Sequence, residues 1–253
     1  MYTTPDFPEK FYSGLSGLQL PIPKYLFPSP YENASRLTYY ASIFNSIEIN
    51  SSFYKIPRPA TVANWAASVP EHFRFTFKLW KGITHSKGFD FNETDVVRFF
   101  DSVNAVAAKK GCILLQFPPS LGSEYGAQLE RLLDSVIKLD PEREWKIAVE
   151  FRNKSWYEED VFNFLDDCGA TVVVQDIPKS ATTVIDQKSD FMYLRFHGPS
   201  GNYRESYSEE FLMEYASTIN ECRAEGKTVF AYFNNTMGDA YDNSKTLEGF
   251  VQE

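Results

Sequence analysis

Seven ionisable residues of this chain share one kind of address. Glu48, Lys78, Glu150, Arg152, Asp176, Arg195 and His197 each stand near the end of a short run of aromatic, aliphatic or β-branched residues. They also keep a period of two with other residues: Glu48 with Asn50, Thr76 with Lys78, Glu150 with Arg152, Val174 with Asp176, and Tyr193 with Arg195 and His197. Leu114 with Gln116 and Tyr232 with Asn234 repeat the pattern. Residues two apart share one face of a strand, so in "SIEIN" Glu48 and Asn50 point one way while Ile47 and Ile49 point the other. A buried charge without a partner is costly. These groups, three negative and three positive with His197 left over, are therefore expected to pair with one another.

Their types suit acid–base work on a small polar molecule, with Glu48 or Glu150 as base and Lys78 or His197 as acid or electrophile. Lys78 is also a Schiff-base candidate, because a lysine in a lumen beside other cations has a depressed pKa. A simple ion pair with Glu150 or Asp176 is the favoured reading of it. An enzyme is favoured over a pure binder, and a purely structural network is disfavoured because Val and Ile would fill a lumen more easily.

The best-supported substrate is an anionic, phosphorylated or carboxylated, or a sugar-like metabolite. "RFHGPSGNYRES" sets Gly198, Ser200 and Gly201 between Arg195 and Arg204, and glycines let backbone N–H groups approach an anion. Asn50, Gln116, Arg152, Asp176, Tyr203, Tyr232 and Asn234 complete the expected binding set. A glycosidase would use Glu48 and Glu150 flanking a bond, with Trp80, Trp156 and Tyr232 as stacking faces. The nearby cations would depress both carboxylates and work against a protonated acid. A metal-dependent isomerase or hydrolase would draw ligands from Glu48, Glu150, Asp176 and His197. Neither HExxH nor HxH occurs, the lysine and arginines compete for the same carboxylates, and the sequence requires no metal or cofactor. His85 in "GITHSKGF" reads as a surface turn, and Pro118 and Pro119 as rigid elements shaping the loop after the fourth strand.

The elements that must position these residues alternate. Strand signals recur as "KFYSGLSGL", "SIEIN", "FRFTFKLW", "GCILLQF", "KIAVEF", "TVVVQDI", "FMYLRFHG" and "TVFAYFNN". Amphipathic segments lie between them. "ENASRLTYYASIF" gathers Leu37, Tyr40, Ala41 and Phe44; "SEYGAQLERLLDSVIK" gathers Leu129, Leu132, Leu133 and Val136. "NETDVVRFFDSVNAVAAKK" opens acidic and closes on lysines, and a helix from a Ser208 cap to Gly226 is expected in "SEEFLMEYASTINECRAEGK". Strands alternating with helices imply parallel pairing through right-handed crossovers. Eight such strands fit a single TIM-like (β/α)8 barrel over residues 1–253 better than a doubly wound sheet, since Gly14 and Gly17 do not make a GxGxxG turn. In a barrel the polar strand ends face the C-terminal mouth, where active sites sit. "KSATTVIDQKS" is too short and β-branched for a sixth helix, and "KTLEGFVQE" allows about two turns. Closure at the C-terminal end is therefore left open.

"EINSSFYKIP", "FKLWKGITH", "LLQFPPSL", "AVEFRNKSW", "RFHGPSGNYRESYS" and "AYFNNTMGDAY" together resemble the YecE-like family, domain of unknown function 72, over nearly the whole chain. The resemblance implies a TIM-like barrel and leaves the activity open. It falls on the strand-end residues above and also on Phe53, Tyr54, Thr84, His85, Pro118, Trp156, Tyr207 and Asn235. One departure is Leu18, where the family carries tryptophan after its first glycine-rich turn.

Composition sets the limits. The 253 residues carry net charge -9 and include 22 Phe and 15 Tyr, ample for a packed core. The acidic total disfavours broad nucleic-acid or membrane-surface binding. Single-strand binding through "NYRESYS" and "LWKGITHSKGF" stays a weaker alternative, as does a non-catalytic ligand binder using the same mouth. The expected partner is a small molecule. With no apolar span, no secretory signal and three scattered cysteines, the expectation is a cytoplasmic protein with inert buried thiols.

Overall fold

The computed structural model describes residues 7–182 and 188–251. Its parallel strands are β1 (Phe11–Leu15), β2 (Ser46–Ile49), β3 (Arg74–Lys78), β4 (Lys110–Gln116) and β5 (Lys146–Glu150), then β6 in two pieces (Ala170–Val172 and Val174–Gln175), β7 (Phe191–Phe196) and β8 (Thr228–Phe233). One ladder runs from β2 through β3, β4 and β5 to the first piece of β6; the other runs from the second piece of β6 through β7 and β8 to β1. The β6 strand changes partner at Val173, whose N–H still donates to Val149 O at 2.9 Å. The register Phe11↔Val229 to Leu15↔Phe233 joins the last strand to the first, so the question of closure left by the sequence is answered: this is a closed TIM-like barrel.

The seam between β1 and β2 is sewn by side chains. Ladder pairing there is reduced to one bridge, Ser16 with Glu48. Asn45 takes the Ser13 N–H (2.9 Å) and gives to Phe11 O (2.7 Å), while the Tyr40 hydroxyl takes the Leu15 N–H (2.7 Å) and gives to Ser46 O (3.1 Å). A Cβ on Gly14 would sit 2.1 Å from Ser46 O, so only glycine permits this approach.

Helices α1 (Arg36–Tyr40), α2 (Pro59–Ala67), α3 (Glu93–Val103), α4 (Gly126–Leu139), α5 (Glu159–Asp167), α6 (Glu209–Ala224) and α7 (Ala240–Phe250) surround the strands. The expected apolar faces are buried: Leu37, Tyr40, Ala41 and Phe44 around α1, and Leu129, Leu132, Leu133 and Val136 on α4. The Ser208 hydroxyl caps α6 from Phe211 N (3.3 Å), and Gly226 follows its end at φ 89°. Two helices differ from expectation. α3 stops at Val103 and continues as a 3-10 segment, because Lys109 turns inward and donates to Ala66 O (2.7 Å) and Val69 O (2.8 Å) at the end of α2. α7 begins at Ala240, before "KTLEGF", because Asn243 is buried and bonded to Asn235 (2.9 Å) and Ser206 (2.8 Å). Among the described residues no helix joins β6 to β7; part of that connection, residues 183–187, lies outside them.

Candidate functional site

The lumen face follows the period of two read from the sequence. Along β7, Phe191 and Tyr193 join an inner cluster with Cys112, Leu114, Val173 and Phe230; Arg195 and His197 lie beyond them toward the mouth. Cys112 and Cys222 are buried as expected, whereas Cys168 is only half-buried.

Arg195, 1% exposed, is the hub between two fully buried carboxylates. Glu48 Oε1 accepts from Arg195 Nη2 (2.8 Å) and Ser16 (2.7 Å), and its Oε2 from Arg195 Nε (3.0 Å) and the Tyr193 hydroxyl (2.6 Å). Glu150 Oε2 accepts from Arg195 Nη1 at 2.8 Å, and its other oxygen is held by Arg152. Nε2 of His197 faces Arg152 Nη2 (3.0 Å) and Arg195 Nη1 (3.2 Å). Guanidinium nitrogens only donate, so Nε2 must accept and the ring proton sits on Nδ1. Nδ1 donates to Asp176 Oδ1 (3.2 Å), which also takes the His197 backbone N–H (2.8 Å). The second Asp176 oxygen accepts from the Tyr207 hydroxyl, which itself takes the Gly198 N–H at 2.5 Å.

Burial pushes both glutamates up, but Arg195 at Glu48, and Arg152 with Arg195 at Glu150, outweigh it and hold both carboxyls below the usual carboxylate range. Burial lowers His197, keeping the imidazole neutral. Every oxygen of Glu48 and Glu150 is occupied by a fixed donor. They position the arginines.

Lys78 stands outside this network. Burial and the charge of Arg195, only partly opposed by Glu150 and Glu48, bring its amine down to about 8. Its ammonium lies 4.2 Å from the centre of the Phe53 ring. Among the described residues it makes no hydrogen bond or ion pair, so the expected pair with Glu150 or Asp176 is not formed: the arginines occupy Glu150, and His197 and Tyr207 occupy Asp176. His85 sets its ring edge-on to Phe53 at 4.9 Å and pairs Nδ1 with Thr84 Oγ1 at 2.9 Å. Burial, then the charges of Lys78 and Arg152, push it down to about 4.

A cavity of about 350 Å³ opens over these groups, lined by six of the expected residues: Lys78, Gln116, Arg152, Arg195, Tyr203 and Asn234. Its size suits a small ligand. Pro118 and Pro119 shape its rim as expected. His85, read from sequence as a surface turn, also lines it, because the helical turn Lys81–Thr84 carries it back over the barrel. Ile177, Lys179 and Ser180 were missed altogether; the signal was their place in the loop that follows the end of β6 at Gln175.

Other expectations are corrected. Tyr232 is fully buried below the mouth, its hydroxyl 2.6 Å from Ser46 Oγ and 2.7 Å from Thr76 Oγ1. The Gly198 N–H is taken by Tyr207 and the Gly201 N–H by Gly198 O (2.7 Å), so neither is free for an anion. Arg204 is exposed and does not line the cavity, nor does Asn50, whose Oδ1 is buried without a partner among the described residues. Trp156 donates to Leu121 O (2.8 Å) and stacks on Phe151, and Trp80 packs against the core beside Arg98, so neither offers a sugar a free face at the mouth. Of the four proposed metal ligands, Glu48 and Glu150 are separated by Arg195, and among the described residues no cluster of three or more His, Cys, Asp or Glu is placed to hold a metal. A second cleft of about 290 Å³, beside Trp145, Lys146 and Asp190 at the opposite end of the strands, contains none of the expected residues.

Fold and site define a class: a closed TIM-like barrel with a charged network and a cation-lined pocket at its C-terminal mouth. The family described as "Protein of unknown function DUF72" matches residues 12–253, and the chain belongs to it. UPF0759 protein YunF of Bacillus subtilis is 30% identical over 255 residues, 88% of each chain, and UPF0759 protein YecE of Escherichia coli K12 is 29% identical over 118 residues, 47% of this chain and 42% of that one. A crystal structure of a DUF72 family protein from Enterococcus faecalis shares the fold with TM-score 0.79 and 23% identity over 95% of both chains. One from Thermotoga maritima gives 0.71 and 25% over 96% of this chain and 99% of that one. D-psicose 3-epimerase, at TM-score 0.53 and 11% identity over 85% and 88%, is similar in fold alone. Among the described residues no helix is long and apolar enough to cross a membrane.

Proposed function

We propose that this protein binds a small anionic metabolite in the mouth pocket, held by Lys78, Arg152 and Lys179. The observation that carries the reading is donor capacity left over after the network is satisfied. Arg152 spends Nε and Nη2 on Glu150 and His197, which leaves Nη1 with no partner among the described residues. Lys78 spends none of its three donors. The carboxylates that would repel an anion are buried beneath the arginines. A phosphate or carboxylate supplies the acceptors these groups lack, and a bidentate contact to Arg152 would orient it.

A thermal-shift panel of phosphate, glucose 6-phosphate and malate, with glucose and a short oligonucleotide as comparators, tests this. At a hundredfold excess over Kd, a binding anion should raise the Tm by roughly 5–10 °C. R152M should lose that shift. A panel in which no anion exceeds glucose, or in which only the oligonucleotide acts, would remove the reading.

A further inference from the structure

Lys78 is the cation that the network leaves out. It ends β3 facing Glu48, Glu150, Arg152 and Arg195, yet both carboxylates are engaged by the arginines. Its neighbours on the pocket side are the Phe53 ring, at 4.2 Å, and the uncharged His85. A half-buried amine without a paired counter-ion costs stability that a methionine would not. What such an amine supplies is nucleophilicity near neutral pH. Its free-base fraction is raised by burial and by Arg195, and Arg152 adds to the effect. The same cavity presents Arg152 and Lys179 beside it.

We propose that Lys78 forms a Schiff base, and that the ligand is a small anionic aldehyde or ketone, an oxo acid or a phosphorylated carbonyl compound, whose acid group Arg152 and Lys179 hold. This rests on the anion reading above. The ammonium first releases one proton. The Nζ lone pair then bonds to the carbonyl carbon as the C=O π pair moves to oxygen, and an N–H proton passes to that oxygen to give a carbinolamine. The released proton returns to the hydroxyl, which leaves as water while the nitrogen pair closes the iminium. Ammonium and carbonyl become iminium and water, with no oxidant, reductant or net proton consumed.

The test traps the iminium. The full chain is incubated at pH 7 with glyoxylate, pyruvate or dihydroxyacetone phosphate, or with the neutral aldehyde propanal, in cyanoborohydride, and labelled lysines are mapped by peptide mass spectrometry. Lys78 should be labelled roughly a hundredfold faster than a free lysine side chain, since an amine near 8 is unprotonated far more often at pH 7 than one near 10.4; the exposed Lys55 is the comparator in the same digest. R152M should slow labelling by the anionic carbonyls at least about tenfold more than it slows propanal, whose slowing reports only the charge lost beside the amine, and K78M should remove this label alone. If malate shifts the Tm but Lys78 is labelled no faster than Lys55, the Schiff-base inference falls and the anion reading stands. If propanal labels Lys78 as fast as the anions do and malate gives no shift, Lys78 is a nucleophile and the anionic substrate class is wrong.

Discussion

Arg195 grips Glu48 across two intervening strands, with Nη2 2.8 Å from Oε1 and Nε 3.0 Å from Oε2, although the residues are 147 apart in sequence. The same guanidinium reaches Glu150 on the other side at 2.8 Å. One side chain thus ties β2, β5 and β7 together beneath the mouth. It also engages both carboxylates and leaves Lys78 without an ion pair among the described residues.

Breaking this grip should be expensive. Glu48→Gln leaves Arg195 buried beside an amide and should cost about 3–5 kcal/mol in urea unfolding. Tyr193→Phe removes one bond to the same carboxylate and should cost about 1.5–3 kcal/mol. Equal costs for E48Q and a surface control would contradict the buried pair.

The pH dependence of stability separates Lys78 from the carboxylates. Native Lys78 titrates near 8, below the unfolded value of about 10.4, so between those values the unfolded chain binds the extra proton and stability rises with pH. K78M should abolish that rise and be more stable than wild type at pH 7, on the order of 1–3 kcal/mol. Comparing the two proteins cancels the buried tyrosines, whose raised values act oppositely at high pH. On the acid side, the depressed Glu48 and Glu150 contribute stability above about 4.3 that is lost as pH falls through their lower folded values. The depressed His85 and His197 begin the decline earlier, below about 6.5, because the unfolded chain takes up their protons first. Parallel pH curves for wild type and K78M would contradict the unpaired amine.

Gly198 should tolerate no side chain. Its φ is 93°, and a Cβ would lie 2.1 Å from Arg204 O. Gly198→Ala should cost about 1–3 kcal/mol or more and displace Tyr203 at the rim, weakening any anion-dependent Tm shift. A neutral effect on both would show that the loop accommodates the methyl.

Tyr232→Phe tests the division between lumen floor and mouth. Its hydroxyl serves only Ser46 and Thr76 among the described residues. The substitution should lower stability by about 1–3 kcal/mol and leave the anion response unchanged. A lost response with unchanged stability would return Tyr232 to the binding set.

Much of the site was legible because strand periodicity is local. Once "SIEIN", "KIAVEF" and "FMYLRFHG" are read as barrel strands, Glu48, Glu150, Arg195 and His197 must face the lumen, and they lie there. The helix faces of α1 and α4 followed from spacing for the same reason. Pairing was not legible. Three carboxylates and three cations permit many matchings, and the one adopted depends on the planar fork of Arg195 fitting between two carboxylates. That choice, made across strands far apart in the chain, leaves Lys78 unpaired. Likewise the return of His85 over the barrel and the inward turn of Lys109 depend on what each meets in space. By itself the sequence determined which side chains point into the barrel, because a period of two is a property of the strand alone. Only the tertiary structure decided which of those charges neutralise one another and which remain unpaired, because that is settled by distance and donor geometry between strands.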